Sequence, residues 1–267
     1  PGSGSDAFGS MKATARRSAD GYVLNGNKTF ITNGPYADTI VFICKLDEPG
    51  VEPRVEPRDR KILHFVLDKG MPGLVQSKPM RKMGLHSSPT GELFLTDVQV
   101  GADRLLGESE EKAAEGGRAG AKATFQTERA GVAAMALGII ERCLELSLAY
   151  AKERVQFGRP IGEFQLIQEK IARMEVARMN VQNLVFRTLE LAEAGKSMSF
   201  AEASAMKLYA AGAADEVSQD AVQIFGGNGY MAEYKVEQFA RDARVLRIYG
   251  GTDEIQISAI ARDLLSR

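Results

Sequence analysis

The sequence predicts an α+β chain: a small antiparallel β-sandwich or barrel followed by a C-terminal four-helix bundle. From residue 1 to about 107, short β-branched and aromatic runs recur between turn residues, the pattern of a compact all-β unit. From 123 to 267, apolar residues recur at helical spacing over long segments with short connections, the pattern of an antiparallel bundle. The stretch 108–122 is charged, rich in Gly and Ala and free of turn signals. It reads as a linker or mobile loop.

The β half begins with Tyr22-Val-Leu-Asn-Gly-Asn-Lys-Thr-Phe-Ile-Thr-Asn-Gly34, which reads as two short strands about an Asn25-Gly26 turn. Thr39–Cys44 is a continuous apolar run, as in a strand covered on both faces. Leu63–Leu67, Leu74–Gln76 and Gly91–Val100 follow as further strands. The tandem Val51-Glu-Pro-Arg-Val-Glu-Pro-Arg58 is polar and Pro-bearing, a solvated excursion. In the helical half, helices are expected at about 124–154, 163–194 and 199–225, and from just after Thr252 to the C-terminus. Gly158 and Pro160 end the first, Gly195 the second and Gly226-Gly227 the third. Alanine-rich faces allow close helix approach, and the methionines serve as core filler.

The totals exclude several classes of function. With 34 basic against 35 acidic residues the net charge is −1, so no nucleic-acid or acidic-membrane footprint is present. No apolar stretch reaches the roughly 18 residues of a membrane span. His64 and His86 stand far apart with no second ligand at metal spacing, so no zinc site is expected. Cys44 and Cys143 both lie in apolar runs. They read as reduced core residues in a cytosol-like compartment. The opening Pro-Gly-Ser-Gly-Ser-Asp is not a signal peptide and reads as a loop cut through its middle, the start of the later part of a longer protein.

Three stretches carry chemistry. Glu128 opens a helical run in which Ala130–Ile140 holds no charge, and its face continues through Val132, Met135, Ala136 and Ile139. An acid so placed either answers the helix dipole and pairs with a neighbour, or is desolvated into a base. Phe225-Gly-Gly-Asn-Gly-Tyr230 supplies backbone that can turn with positive φ and offer N–H groups to an anion, or is simply a helix C-cap. Gly250-Gly251-Thr252 opens the last helix, again with free amides.

Together with Arg154-Val-Gln-Phe-Gly-Arg-Pro-Ile-Gly-Glu-Phe-Gln165 and Phe30-Ile-Thr-Asn-Gly34, these stretches resemble the acyl-CoA dehydrogenases, flavoproteins that desaturate acyl thioesters. The resemblance runs along essentially the whole chain. It does not cover the all-helical first domain of that family. It implies bound FAD, with Thr32 near flavin N5 and Phe30 in place of the more usual Trp on the ring. It implies that Arg154, Gln156 and Phe157 touch the dinucleotide, that Gln223, Gly226 and Gly227 reach it from a neighbouring subunit, and that Thr252 meets its adenosine or pyrophosphate part. Gly4 and Ser5 match a loop that meets the pantetheine. Tyr249, Gly250 and Gly251 then line the thioester, and Arg129 meets the CoA or orients the base. A homo-oligomer, tetramer or dimer, is implied, with an electron-transfer flavoprotein as acceptor. A bacterial cytoplasm or a mitochondrial matrix would suit.

Many members carry the base as the Glu of Tyr-Glu-Gly-Thr; here that position is Gly250. A subset, the isovaleryl-CoA and long-chain type, places it before an Arg on the first bundle helix, which here is Glu128-Arg129. The resemblance therefore implies Glu128 as the base for the α-proton, with the β-hydride passing to flavin N5 and a trans-2-enoyl-CoA as product. Glu254 ranks second. The alternatives are an acyl-CoA oxidase or nitroalkane-oxidase-like enzyme, a non-catalytic relative that binds flavin and nucleic acid, and an inactive helical fragment.

Overall fold

The computed structural model describes residues 2–6, 9–48, 56 and 59–266, with backbone alone over 113–123. The tandem tetrapeptide of residues 51–58 lies outside the described residues, Glu56 excepted. The chain divides into two compact units, residues 1–82 with 86–123, and 83–85 with 124–267.

The first unit is a six-stranded sheet built from β1 (Thr14–Ser18), β2 (Gly21–Thr32), β3 (Thr39–Leu46), β4 (Ile62–Asp68), β5 (Leu74–Gln76) and β6 (Thr90–Val100), in the order β4-β3-β1-β2-β6-β5. It is mixed rather than purely antiparallel, because β1 runs parallel to β3. The expected sandwich or barrel is one strongly curled sheet. Flat, it would hold β2 and β4 about 14 Å apart, three strand spacings, yet the Tyr22 and Phe65 rings meet edge-on at 5.0 Å. Curling lets Leu24, Phe42, Phe65, Leu67, Leu93 and Val98 share one core.

The Asn25-Gly26 turn does not form. β2 runs straight through it, with a register slip against β6 between Leu24 and Gly26. The Asn25 side chain instead exchanges two 2.9 Å hydrogen bonds with Asp97, accepting from its backbone N–H and donating to its carboxylate. Gly26 (φ +142) brings the backbone so close to Ala13 that a Cβ would stand 2.7 Å from its Cα. Here the glycine marks a close approach, not a hairpin. The hairpin lies one step earlier, between β1 and β2, where Ser18 pairs with Gly21.

The stretch 108–122 is not a linker. It is helical from Glu110, and α1 spans Glu110–Glu153. The start signal is local: Ser109 Oγ accepts the Lys112 N–H at 3.3 Å, and Glu110 and Glu111 occupy the first turn. Ala, Glu and Lys outweigh three glycines costing about 1 kcal/mol each. Glu110 also accepts from Arg17 Nε and Nη2 (2.7 and 2.6 Å) and from the Tyr22 hydroxyl (2.9 Å). The Arg17 bonds hold its carboxyl below the usual range against the opposing effect of burial. A depressed carboxylate stabilises the fold above its unfolded pKa and loses that contribution as pH falls through its folded value. Glu110→Gln is therefore expected to narrow its stability gap to wild type as pH drops below about 4.5, measured by urea unfolding at stepped pH.

The second unit holds α2 (Gln165–Glu193), α3 (Phe200–Phe225), α4 (Val236–Arg244) and α5 (Asp253–Leu265) with the rest of α1. A capping box starts α3: Ser199 accepts from the Glu202 N–H, and the Glu202 carboxylate accepts from the Ser199 N–H. α3 is the central helix, buried along most of its length and packed on α2, α4 and α5. Of the strands and α-helices, β1, α4 and one short hairpin were not foreseen. α4 has nine residues, too few for its periodicity to stand out. A hairpin of β7 (Val155–Gln156) and β8 (Arg159–Pro160) follows α1. Cys44 and Cys143 are free and buried, and burial raises both thiols to about 12.

Candidate active site

Glu128 lies in α1 and is exposed, not desolvated among apolar neighbours as its helix face suggests. Met135, on the same face, is also exposed, whereas Val132 and Ala136 are buried. The carboxylate nevertheless meets the turn that opens α5. A Cβ built on Gly250 would stand 3.9 Å from Glu128 Cδ and Oε1, and 3.6 Å from Val132 Cγ2. Gly250 (φ +63) and Gly251 (φ +91) both occupy left-handed backbone, which favours glycine. Tyr249 closes the group, its hydroxyl 3.6 Å from Met135 Sδ. Burial raises the Tyr249 pKa, and the charge of Glu128 adds to the shift. Glu128, Val132, Met135, Tyr249 and Gly250 are thus one cluster.

Arg129 requires a correction. It is 3% exposed and turns into the bundle instead of toward a substrate. Its guanidinium lies 3.9 Å over the Phe200 ring and donates from Nη1 to Ser204 Oγ at 3.0 Å. Successive helix residues are about 100° apart, so burying Arg129 against α3 leaves Glu128 on the side of the Gly250 turn. What remains of the expected role is orientation of the base.

Glu254, the second candidate, is exposed in the first turn of α5. Its own backbone N–H and the Thr252 hydroxyl pull its carboxyl pKa down. An acid held ionised in this way is a weak base. Thr252 is the N-cap of α5 without a side-chain capping bond to the helix.

The residues expected to hold FAD have distinctive conformations of their own. Phe30 (φ +57) and Phe157 (φ +52) occupy left-handed backbone, unusual for aromatic residues. Both are also bare, at 73% and 94% exposure. Phe30 lies where β2 slips in register against β6, and Phe157 touches only the edge of Phe164, its ring centroid 6.1 Å away, so each ring offers a bare apolar face of the kind a planar aromatic ligand covers. Phe157 sits with Gly158 (φ +79) at the tip of the β7–β8 hairpin. Arg154 and Gln156 are exposed on either side of Val155; the Gln156 side-chain amide donates to the neighbouring Val155 carbonyl at 2.6 Å. Gln223, Gly226 and Gly227 are exposed at the end of α3, and a Cβ on either glycine would meet nothing within 4 Å. That loop is anchored by Asn228, which donates to the Tyr150 hydroxyl at 2.9 Å, while Tyr150 stacks on Phe225 at 4.0 Å. In the first unit, Thr32 is exposed at the end of β2, and Gly4 (φ +49) and Ser5 lie in an exposed turn. Within the second unit, the bare Phe157 ring beside the exposed Arg154 and Gln156 suits an anionic dinucleotide carrying a flat ring.

Sequence reading missed the support beneath the Gly250 turn. Lys207 Nζ donates to the Gly251 carbonyl at 2.8 Å, and Gln256 Nε2 to the carbonyls of Gly250 and Gly251 at 2.8 and 2.9 Å. Arg247 joins Asp253 (2.7 Å) and Asp215 (2.9 Å), tying the start of α5 to α3. No local pattern marks a lysine in an alanine-rich face as functional. An open groove of about 570 Å³ between α2 and α3, lined by Arg173, Val176 and Tyr209 among others, includes none of the candidate site residues.

Comparison with known proteins identifies the family. Residues 1–98 match the family model for the acyl-CoA dehydrogenase middle domain, and residues 115–265 that for the acyl-CoA dehydrogenase C-terminal domain. A 3-(aryl)acrylate reductase of Clostridium sporogenes is 40% identical over 265 residues, 99% of this chain and 67% of its own length. An acyl-CoA dehydrogenase of Bacillus subtilis is 42% identical over 266 residues, 99% of this chain and 66% of its own. The solved butyryl-CoA dehydrogenase of Megasphaera elsdenii superimposes with a TM-score of 0.89 at 39% identity, over 99% of this chain and 66% of that one. The chain therefore spans about two thirds of the length of these relatives. Matched by these two models over nearly its whole length, the chain belongs to the acyl-CoA dehydrogenase family.

Proposed function

We propose that the chain carries out FAD-dependent α,β-dehydrogenation of an acyl-CoA thioester to the trans-2-enoyl-CoA. The observation that supports this best is the meeting of Glu128 with Gly250: the turn offers no acid, and an acid from another helix stands beside it. In this reading Glu128 accepts the α-proton. FAD, when bound, supplies the acceptor for the hydride that leaves the β-carbon. Phe30, Thr32, Arg154, Gln156, Phe157 and Thr252 would hold it, with Gln223, Gly226 and Gly227 contributed to a neighbouring copy. Backbone N–H groups of the Gly250-Gly251 turn polarise the thioester carbonyl, which acidifies the α-carbon. Ser5 and Tyr249 would line the substrate path. Electrons then leave to an electron-transfer flavoprotein.

The site implies a homo-oligomer, a tetramer or dimer. α2 leaves Leu166, Val176, Met179, Phe186 and Leu189 exposed, an apolar stripe of the kind that subunit contacts cover. The glycine at 250 leaves room beside the reacting carbons, which favours a branched acyl chain or one entering along a different path. Anaerobic titration of the flavin-loaded protein with a C5-branched and a C8 straight acyl-CoA is expected to bleach the flavin band with at least one of them. No bleaching with either, and with shorter chains as well, would refute dehydrogenation. Oxygen uptake during turnover would instead mark an oxidase.

A further inference from the structure

The double-glycine turn is clamped from inside the bundle. Lys207 lies in mid-α3 at 0% exposure and donates to the Gly251 carbonyl at 2.8 Å. Gln256, equally buried, donates to the Gly250 and Gly251 carbonyls. In a trans peptide the C=O and N–H point in opposite directions. Drawing both carbonyls inward therefore turns the N–H groups of Gly251 and Thr252 away from Lys207 and Gln256. Neither N–H has a hydrogen-bond partner among the described residues.

Lysine is a poor choice for packing at this position. It is flanked at helical spacing by Ala203, Ala210 and Ala211, all buried. Its nearest carboxylate oxygen, Asp253 Oδ1, is 3.8 Å away. Burial lowers its pKa, and the charges of Arg129 and Arg247 add to that effect against Asp253. Methionine would fill the space without the cost of burying an ammonium. Removing the lysine would leave Asp253 Oδ2 its bond from Arg247 at 2.7 Å, while the buried Oδ1, which makes no hydrogen bond among the described residues, would lose the ammonium 3.8 Å away. What only a donor can supply here is the bond to Gly251.

We propose that Lys207 is a positioning residue, its buried amine acting with Gln256 to hold the Gly250-Gly251 turn so that the outward Gly251 amide meets the thioester carbonyl. This rests on the dehydrogenation reading above. Glycine in left-handed backbone is the least restrained of residues, so a turn of two needs an outside restraint to keep its amides preorganised.

The test uses the flavin-loaded holoenzyme and a CoA thioester carrying a cinnamoyl-type chromophore, whose absorption shifts to the red when its carbonyl is polarised. Wild type is expected to show the shift. Lys207→Met is expected to lose most of it, with normal flavin content and circular dichroism. Its kcat should fall on the order of tenfold to a hundredfold, with KM changed by less than about threefold, since binding made equally in ground and transition states is untouched. A Lys207→Met protein with wild-type shift and kcat overturns the proposal. If wild type itself shows no shift, the dehydrogenation reading fails first. Should Lys207→Met lose its fold, Gln256→Met decides: it removes the donor to the Gly250 carbonyl and the second donor to that of Gly251, so a reduced shift supports the clamp and a wild-type shift overturns it.

Discussion

Glu128→Gln is expected to lower kcat by about 10²- to 10⁴-fold, the contribution of a well-placed general base, while flavin content and thioester binding stay at wild-type levels. Gln has the shape of Glu, and Glu128 is exposed in α1 and makes no ion pair among the described residues, so little stability is at stake. The loss should fall on kcat and kcat/KM alike, because the carboxylate is needed only as the α-proton departs. Binding is checked by the perturbation of the flavin spectrum on adding acyl-CoA, and turnover with an artificial electron acceptor. Turnover within tenfold of wild type would remove Glu128 as the base. Glu254→Gln serves as the contrast. Its carboxyl is already held ionised by its own N–H and by Thr252, so its kcat should stay within a few-fold of wild type.

Moving the carboxylate should recover much of what its removal costs. Glu128→Gly alone is expected to be as inactive as Glu128→Gln; combined with Gly250→Glu, it should regain at least about tenfold in kcat. The argument is one of space. A Cβ at position 250 stands 3.9 Å from the present carboxylate, with Val132 Cγ2 at an ordinary 3.6 Å, so a glutamate rooted there can bring its oxygens to the same place. Recovery should be incomplete. A non-glycine residue at φ +63 costs about 1–2 kcal/mol, and glycine within α1 costs about 1 kcal/mol more. Gly250→Glu without the compensating change should be worse than the double variant, since two carboxylates in one space cannot both ionise freely. Kinetics of the three variants side by side decide it, and a double variant no faster than Glu128→Gly would show that the two positions do not serve one site.

The clamp under Gly250 and the inward turn of Arg129 illustrate where sequence reading ends. A helical pattern sorts apolar from polar positions; it has no means of telling a cation on the water side from one buried under a ring, as Arg129 is under Phe200. Lys207 was invisible for the same reason, since its partner is a backbone carbonyl that belongs to no side-chain motif. Asn25-Gly26 misled because its hairpin signal is local, while the Asp97 that captures Asn25 comes from β6. The 108–122 stretch was misjudged in the other direction. Its glycines suggest a loop, but the Ser109 cap and the alanines around them favour helix.

The sequence by itself determined the order and kind of most elements, the family's motifs, and the complementary oddity of a missing acid at 250 and an unexplained one at 128. These depend on periodicity, turn chemistry and residue identity, which act over a few positions. Only the tertiary structure decided that Glu128 and Gly250 are neighbours, that Arg129 faces away, that the sheet curls, and that Lys207 and Gln256 hold the turn. Such facts arise where helices distant in sequence pack against one another, and packing is settled by the whole buried surface at once.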